Sequence, residues 1–240
     1  MERLRYLLEE KGGLFSEELG IDVARQPFKW LLAAMLFGGR ISERVAKSTY
    51  KAFARHRLLT PQAILRAGWE GLIPVMGEGG YARYDNIKST SISEMCRKLL
   101  DEYDGKVENI HAQAESSADL EARLLAFKGI GRVTTSIFLR ELRGVWDKAD
   151  PPLSDIELLA AQVLGLTKSK NPEKALEDLR ALWKRGRVAG HDFRHLEAAL
   201  VREGIELRRK RRRAAWAAPS VSSAGRSPSG RFTRRRAELD

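Results

Sequence analysis

The segment from Leu124 to Thr135 contains two glycines whose spacing most clearly suggests a binding function. It reads LLAFKGIGRVTT, with Gly129 and Gly131 on either side of Ile130. Glycine at both positions permits a tight turn and lets another backbone approach closely. A helix that begins after Gly131 would direct its unbonded amides and the positive end of its dipole at a neighbouring anion. The spacing predicts a helix–hairpin–helix that binds a phosphate, although an ordinary turn between two helices also uses paired glycines.

The carboxylate of Asp155 is the second feature that could do chemistry. It follows a pair of prolines, which stiffen the approach, and it starts a helical pattern whose dipole favours an ionised side chain. A carboxylate held in this way can stabilise positive charge that develops on a substrate, and it can orient or deprotonate a water molecule. The simpler interpretation is that Asp155, or Ser154 beside it, only caps the helix. Asp147 and Asp150 in the same loop are the other candidate carboxylates.

The elements that must position these residues are helices. Apolar residues recur at three and four positions along most of the chain, and no alternating run is long enough to predict a strand. The body is therefore predicted to be all-α, with nine or ten helices. Their predicted ranges are about 27–37, 42–53, 61–67, 83–103, 117–127, 132–142, 155–164, 172–183 and 192–207.

Composition excludes several classes of protein. The chain has 240 residues, 43% of them apolar and 31% charged, which is typical of a globular protein of one large or two small domains. The single cysteine, Cys96, excludes an intrachain disulfide framework and a cluster held by several thiolates of this chain. No apolar run reaches the roughly 18 residues that span a bilayer, and the first residues lack the apolar core of a signal peptide. We expect the protein to be in the reducing interior of the cell. If the source is a prokaryote, we expect it in the cytoplasm, associated with the nucleoid.

Positive charge is concentrated at the carboxyl end. The net charge is +11, and residues 205–240 hold 11 basic and 3 acidic residues. The rest of the chain is nearly balanced, which predicts a folded body over 1–207 and a basic, disordered arm over 208–240. An arm of this composition suits a partner made of phosphates, although it could also serve only as a solubilising tail.

In their order along the chain, these elements resemble the endonuclease III-like (HhH-GPD) superfamily of helix–hairpin–helix DNA glycosylases, over roughly residues 25–204. Pro27-Phe28 is similar to the opening of that family's first core helix, and Gly80-Tyr81 followed by Asn86-Ile87 is similar to its loop and the helix behind it. The hairpin at 128–131 and the proline-rich loop that ends in an aspartate follow in the family's order. The resemblance implies a two-lobed all-α fold, with one lobe over about 28–135 and the other formed by 1–27 and 136–207.

The resemblance also implies a function and a mechanism. It implies a monomeric base-excision-repair enzyme that removes a damaged or mispaired base from double-stranded DNA, with Asp155 as the catalytic carboxylate. Members that also cut the strand carry a lysine two residues after the second hairpin glycine, and this chain has Val133 there. The expected enzyme is therefore a monofunctional glycosylase that uses water and favours an alkylated or mismatched base. We expect no iron–sulfur cluster and no metal ligands, with room for a monovalent cation at the hairpin.

The resemblance assigns DNA contacts to the hairpin and to the loop after the first core helix. The assigned residues are Gly39, Arg40, Lys128, Gly129, Gly131 and Arg132. Where the endonuclease III branch fills the gap left by a flipped base with a glutamine, this chain has Gly39, so Arg40 is the expected wedge unless it is an ordinary surface arginine. Candidates to stack on the flipped base are the nearby aromatic residues Trp30, Phe37, Tyr81 and Tyr84. For Trp30 and Phe37, a role in the core is the stronger interpretation.

Two alternatives remain open. The first is a DNA-binding protein of the same fold that has lost catalysis, which Val133 and Gly39 favour and Asp155 opposes. The second is an unrelated helical interaction module, which would make both the hairpin and the aspartate loop coincidences.

Overall fold

The computed structural model describes residues 2–81 and 85–217, which fold into eleven α-helices and one short 3-10 turn at Glu17–Leu19. In chain order the helices are α1 (Glu2–Lys11), α2 (Pro27–Phe37), α3 (Glu43–Arg55), α4 (Pro61–Glu78), α5 (Asp85–Tyr103), α6 (Val107–Gln113), α7 (Ser117–Leu125), α8 (Arg132–Leu142), α9 (Asp155–Val163), α10 (Pro172–Arg185) and α11 (Phe193–Ala217). Extended pairing in these residues is limited to one isolated bridge, between Arg143 and Trp146. The prediction of an all-α fold is confirmed.

Side-chain caps determine where several helices begin. The Ser42 hydroxyl accepts a hydrogen bond from the Val45 amide at 3.3 Å, and the Thr60 hydroxyl accepts one from Ala63 at 3.2 Å. Asn171 caps α10 in the same way, through the Lys174 amide. Such caps satisfy amides that the first turn of a helix leaves without partners. These starts agree with the sequence pattern to within one residue.

The hydrophobic residues form two cores. The larger core surrounds α2, whose Trp30 is fully buried and donates a hydrogen bond from its indole nitrogen to the Phe138 carbonyl at 3.0 Å. The smaller core joins α1, α9, α10 and α11. The larger core includes residues from Leu14 to Ala149 together with Ala198 and Val201 of α11, so it includes residues that the sequence assigned to the other lobe. Residues near Leu14 pack inward because the Phe15 ring meets the edge of Phe37, with centroids 5.6 Å apart.

Helix lengths differ from the sequence expectation at several places. α1 and α6 were not predicted, and α4 continues past a kink at Gly68, whose φ is +63°. α11 continues to Ala217, so residues 208–217 are helical instead of belonging to a disordered arm. Arginine, lysine and alanine are good helix formers, and an established helix extends readily through them. The remainder of the predicted arm lies outside the described residues.

No helix within 2–81 and 85–217 combines the length and the apolar character needed to cross a bilayer.

Candidate nucleic-acid interface and catalytic carboxylate

The two hairpin glycines are required for different reasons. Gly129 has a φ of +80°, and a β-carbon added there would lie 2.5 Å from the Ser91 β-carbon, so the protein itself demands glycine. Ile130 between the glycines is 4% exposed and enters the core, as its position predicts. Gly131 has a φ of −104°, and a β-carbon added there would meet nothing within 4 Å. A side chain at position 131 would therefore project into open space, where an approaching ligand would meet it.

The amides that follow Gly131 are available to an anion. Gly131 is the N-cap of α8 without a side-chain cap, and its carbonyl accepts the first helical hydrogen bond from Thr135 at 2.9 Å. Among the bonds formed within the described ranges, the amides from Gly131 to Thr134 have no acceptor. Four amides at the positive end of a helix dipole form an arrangement that suits a phosphate.

The loop after α2 lies beside this turn. A β-carbon on Gly38 would lie 2.2 Å from the Thr134 hydroxyl oxygen, so the end of α2 abuts the first turn of α8. A β-carbon on Gly39 would lie 2.1 Å from the Tyr81 hydroxyl oxygen, which leaves no room for a side chain at position 39. Arg40 is exposed next to it. The structure thus brings the predicted wedge and the hairpin helix onto adjacent parts of the surface.

The charged residues of the hairpin are at the surface. Lys128 is exposed, and its Nζ lies 2.8 Å from Oε1 of Glu94, so its ammonium group forms an ion pair with a surface carboxylate. Arg132 is exposed as well. Val133, at the position where strand-cutting members carry lysine, is 64% exposed.

The aromatic residues predicted to stack on a base are mostly internal. Trp30 and Tyr81 are 0% and 1% exposed, so neither offers a ring face to a ligand in this conformation. Phe37 is partly buried and packs against Phe15 and Trp30. These placements favour a role in the core for all three residues. Tyr84 lies outside the described residues.

Asp155 is exposed at the first position of α9, and other residues perform the capping. The Ser154 amide donates to Oε2 of Glu157 at 2.8 Å, and the Ser154 hydroxyl bonds to the same oxygen. This pair is a capping box, in which residues three apart satisfy the helix start. In the part of the chain that the structure describes, the Asp155 carboxylate has no hydrogen bond or ion pair, so it is available to a substrate.

The two other candidate carboxylates are engaged. Asp150 accepts hydrogen bonds from Arg143 and Arg180. Asp147 lies 2.6 Å from Nε2 of His111, and this hydrogen bond holds the pKa of the Asp147 carboxyl below its usual value. Both carboxylates therefore have protein partners that Asp155 lacks.

A buried ion pair, which the sequence did not reveal, supports the loop before Asp155. The Arg143 guanidinium donates to both carboxylate oxygens of Glu197, at 2.9 and 3.0 Å, and to the Pro151 carbonyl at 2.6 Å. Burial raises the pKa of Glu197 to about 7, while the charge of Arg143 acts in the opposite direction. One guanidinium thereby joins the end of α8 to α11 and to the proline-rich loop.

A second buried pair joins α8 to the helix that carries Asp155. Nη1 of Arg140 lies 3.7 Å from Oε1 of Glu157, and both side chains are almost fully buried. Arg140 is eight residues after Arg132, or about 12 Å along the helix at 1.5 Å per residue. The hairpin and the first turn of α9 are thus connected through one helix and one ion pair.

One local signal could have revealed part of this arrangement. Ser154 and Glu157 have the S-x-x-E spacing of a capping box, which places the helix cap at Ser154. The partner of Arg143 lies 54 residues away in the sequence, so no local pattern links the two.

Across 2–81 and 85–217, no group of three or more His, Cys, Asp or Glu side chains is arranged to hold a metal ion.

Comparison with known proteins supports the fold. No protein-family model and no curated protein sequence matches the chain. Among solved structures, the chain is similar to the 3-methyladenine DNA glycosylase MagIII of H. pylori, which was crystallised with 1,N6-ethenoadenine. The TM-score is 0.53 at 15% identity, over 88% of this chain and 97% of that one. The chain therefore has the helix–hairpin–helix (HhH-GPD) glycosylase fold.

The Arg143 pair makes a prediction about stability. Arg143→Met leaves Glu197 buried without its counter-charge, which costs about 3–5 kcal/mol of unfolding free energy. In the folded variant, the buried Glu197 carboxyl then binds a proton. In the unfolded chain, the same carboxyl releases this proton once the pH exceeds the ordinary pKa of a glutamate. Stability should consequently rise as the pH falls from 8 towards 5.

Chemical denaturation across that pH range measures the effect. Arg180→Met, which removes a more exposed partner of Asp150, is the control and should cost less than about 1 kcal/mol. The double variant Arg143→Met/Glu197→Met should recover most of the loss. If the loss of unfolding free energy in Arg143→Met does not change with pH, the assigned pairing of Arg143 with Glu197 is contradicted.

Substitutions at the two hairpin glycines should have different effects, on DNA binding at Gly131 and on folding stability at Gly129. Gly131→Asn can cap α8 without a steric clash, so folding stability should stay within about 0.5 kcal/mol. Its side chain would compete for the amides, and losing one amide–phosphate bond of about 1.5–3 kcal/mol weakens duplex binding roughly 10- to 100-fold.

Fluorescence anisotropy on matched damaged and undamaged duplexes is the measurement. If the amides bind phosphate, both affinities should fall by similar factors, because contacts to the DNA backbone carry no information about the base. Gly129→Ala is the comparison variant, and it should lower the thermal stability instead. A loss confined to damaged DNA would mean that Gly131 shapes a base pocket.

Proposed function

We propose that the protein is a DNA glycosylase of base-excision repair that hydrolyses the N-glycosidic bond of an alkylated or mispaired base in duplex DNA. The observation that carries this proposal is the exposed Asp155 carboxylate, which begins α9 within a glycosylase fold and takes no part in capping that helix. The partner is double-stranded DNA that contains the lesion or mismatch. The enzyme acts as a monomer.

The hairpin supports binding to the DNA backbone. The four amides from Gly131 to Thr134 have no acceptor among the bonds formed in the described residues, and exposed Arg132 adds positive charge beside them. These groups recognise phosphate without regard to sequence. Arg40, on the adjacent loop, is the residue proposed to fill the space of the extruded base.

The chemical step follows from a carboxylate beside an emerging cation. As the base departs, positive charge develops on the sugar, and an ionised Asp155 stabilises that charge. The same carboxylate orients a water molecule and accepts its proton as the new C1′–O bond forms. The departing base leaves with the bonding electron pair.

Val133 supports a monofunctional reaction. A side chain of two methyl groups cannot attack C1′, so no Schiff base forms at this position and the strand is not cut there. The product of the proposed enzyme is free base and an intact strand with an abasic site.

An alkylated purine is the preferred substrate class. Alkylation at a ring nitrogen makes the base cationic, and a cationic base is a better leaving group that needs less assistance from the protein. The similar H. pylori protein is named for 3-methyladenine. A mispaired base is the second substrate class that we consider.

A DNA-binding protein of the same fold without catalysis is the second candidate function. The burial of Trp30 and Tyr81 favours it, because neither presents a surface on which a flipped base could stack. The availability of the Asp155 carboxylate favours the enzyme.

A carboxylate variant tests the catalytic assignment. Asp155→Asn should lower the single-turnover excision rate by about 10²–10⁴-fold, the usual contribution of a positioned acid or base. Its affinity for lesion DNA should be equal or higher, since a negative charge near phosphates is lost.

The assay uses a panel of duplexes, each with a single lesion, treated with and without alkali to reveal abasic sites. Asp147→Asn is the matched control, because it neutralises an exposed carboxylate of the same loop and should keep near-full activity. If Asp155→Asn stays active while Asp147→Asn or Asp150→Asn does not, the catalytic carboxylate is misassigned.

Borohydride trapping tests the absence of a lyase. With abasic-site DNA, the wild-type protein should yield no efficient covalent adduct, whereas a lysine nucleophile would be trapped as a stable amine. Denaturing electrophoresis detects the adduct, and a lyase-competent glycosylase is the positive control. An adduct that maps to Lys128 would overturn the monofunctional mechanism.

A further inference from the structure

The last ten residues of α11 form a basic helical extension, which we define as residues 208–217. Leu207 is the last residue of α11 that packs against the smaller core, and every side chain from Arg208 to Trp216 is exposed. At 1.5 Å per residue, the extension reaches about 15 Å beyond the packed part of α11. Because it continues a helix anchored on α1 and α9, its direction is set by the folded body.

The charge of the extension is not neutralised by the body. Residues 208–213 are six consecutive arginines and lysines, and none of them forms an ion pair within the described ranges. On the preceding turns, Glu203 and Glu206 both pair with Lys11, the latter at 2.8 Å. The hydrogen bond from Lys11 and also the charges of Lys210 and Arg209 hold the pKa of Glu206 below its usual value. No carboxylate of the described residues lies within ion-pair distance of the extension, so its six cations remain available to an external partner.

One face of the extension combines cations with an aromatic ring. Arg209, Arg212, Arg213 and Trp216 are spaced by three and four residues, which places them on the same side of the helix. Trp216 is 92% exposed. Of the other tryptophans, Trp69 is 49% exposed, and Trp30, Trp146 and Trp183 are each less than a tenth exposed.

We propose that the helical extension of α11 is a second DNA-binding element, which contacts the phosphate backbone of the duplex independently of the hairpin. The inference rests on the proposed function, because that function brings duplex DNA to the protein. Duplex DNA carries one negative charge per 1.7 Å or so of its axis, which suits six cations spaced along about 9 Å of helix.

A membrane surface suits the extension less well. Helices that lie on membranes need an apolar face opposite their cationic one. The apolar side chains of the extension are three alanines and Trp216, and Trp216 lies on the same side of the helix as Arg212 and Arg213 instead of opposite to them.

The test compares two variants of the full chain with equal loss of charge. In the extension variant, the six basic residues of 208–213 are replaced by glutamine, which keeps a good helix propensity. In the control variant, six exposed basic residues on and beside α10 are replaced by glutamine. They are Lys168, Lys170, Lys174, Lys184, Arg185 and Arg187.

The readout is the dependence of undamaged-duplex binding on salt concentration. About half of the six cations can face a duplex at once, and each phosphate contact adds roughly 0.9 to the log–log slope. The extension variant should therefore lower the slope by about 2–3, and the control variant by less than about 1. Equal changes in both variants, or no change in the extension variant, would overturn the proposal.

Trp216 supplies a local signal. Duplex binding should change the tryptophan emission of the wild-type chain, and Trp216→Phe should remove most of that change. An emission change that persists in full in Trp216→Phe would count against contact at the extension.

A Gly-Ser-Gly insertion between Leu207 and Arg208 tests the fixed direction of the extension. It keeps every charge but uncouples the extension from the body. Binding should weaken by about threefold or more, because preorganisation is lost. Unchanged affinity would contradict a role for the helix as a fixed element.

Two further measurements separate this inference from its alternatives. A wild type that excises no base from any lesion duplex but shows the slope difference would refute the proposed catalysis alone. Binding to phosphatidylglycerol vesicles that requires the extension, with no difference in the duplex slope, would refute the DNA contact and identify a membrane partner.

Discussion

Arg143 and Glu197 bury opposite charges between α8 and α11, and the loop that leads to Asp155 is built on that pair. Removing two charges from water is costly, and it is offset only when the geometry is close and the remaining donors are satisfied. Here the guanidinium binds both oxygens of Glu197 and the Pro151 carbonyl. Any large movement of the loop would break these bonds inside the protein, so the start of α9 is held in one position.

The same helix serves the two parts of the candidate site. At its beginning, α8 presents unbonded amides beside Gly131, and near its end Arg140 pairs with Glu157, two residues after Asp155. The same rigid helix, α8, would thus position both a phosphate bound at the hairpin and a sugar bound near Asp155. Rigid support of this kind is what positions a reactive group to catalyse. The two hairpin glycines also have different roles. Gly129 is required by the packing of the protein, whereas Gly131 leaves space for a ligand.

Features carried by local pattern could be predicted from the sequence. The all-α class, most helix starts and the hairpin depend on residues within a few positions of one another, such as Thr60 with Ala63. Features that depend on distant residues could not. The Arg143–Glu197 pair spans 54 residues, and the burial of Tyr81 is set by its packing in the core around α2 and not by the glycine loop before it. The end of α11 was misjudged because a run of arginines is compatible with both a helix and an open chain.

The central claim is that the protein releases a base from DNA, and the most direct measurement is of that base. Duplex DNA treated with a methylating agent is incubated with the full chain, and the small molecules released are identified by liquid chromatography and mass spectrometry. A monofunctional glycosylase should release free methylated purines above an enzyme-free control, and the strands should stay intact until alkali is added. Binding to the same DNA without any released base would contradict the proposed glycosylase activity.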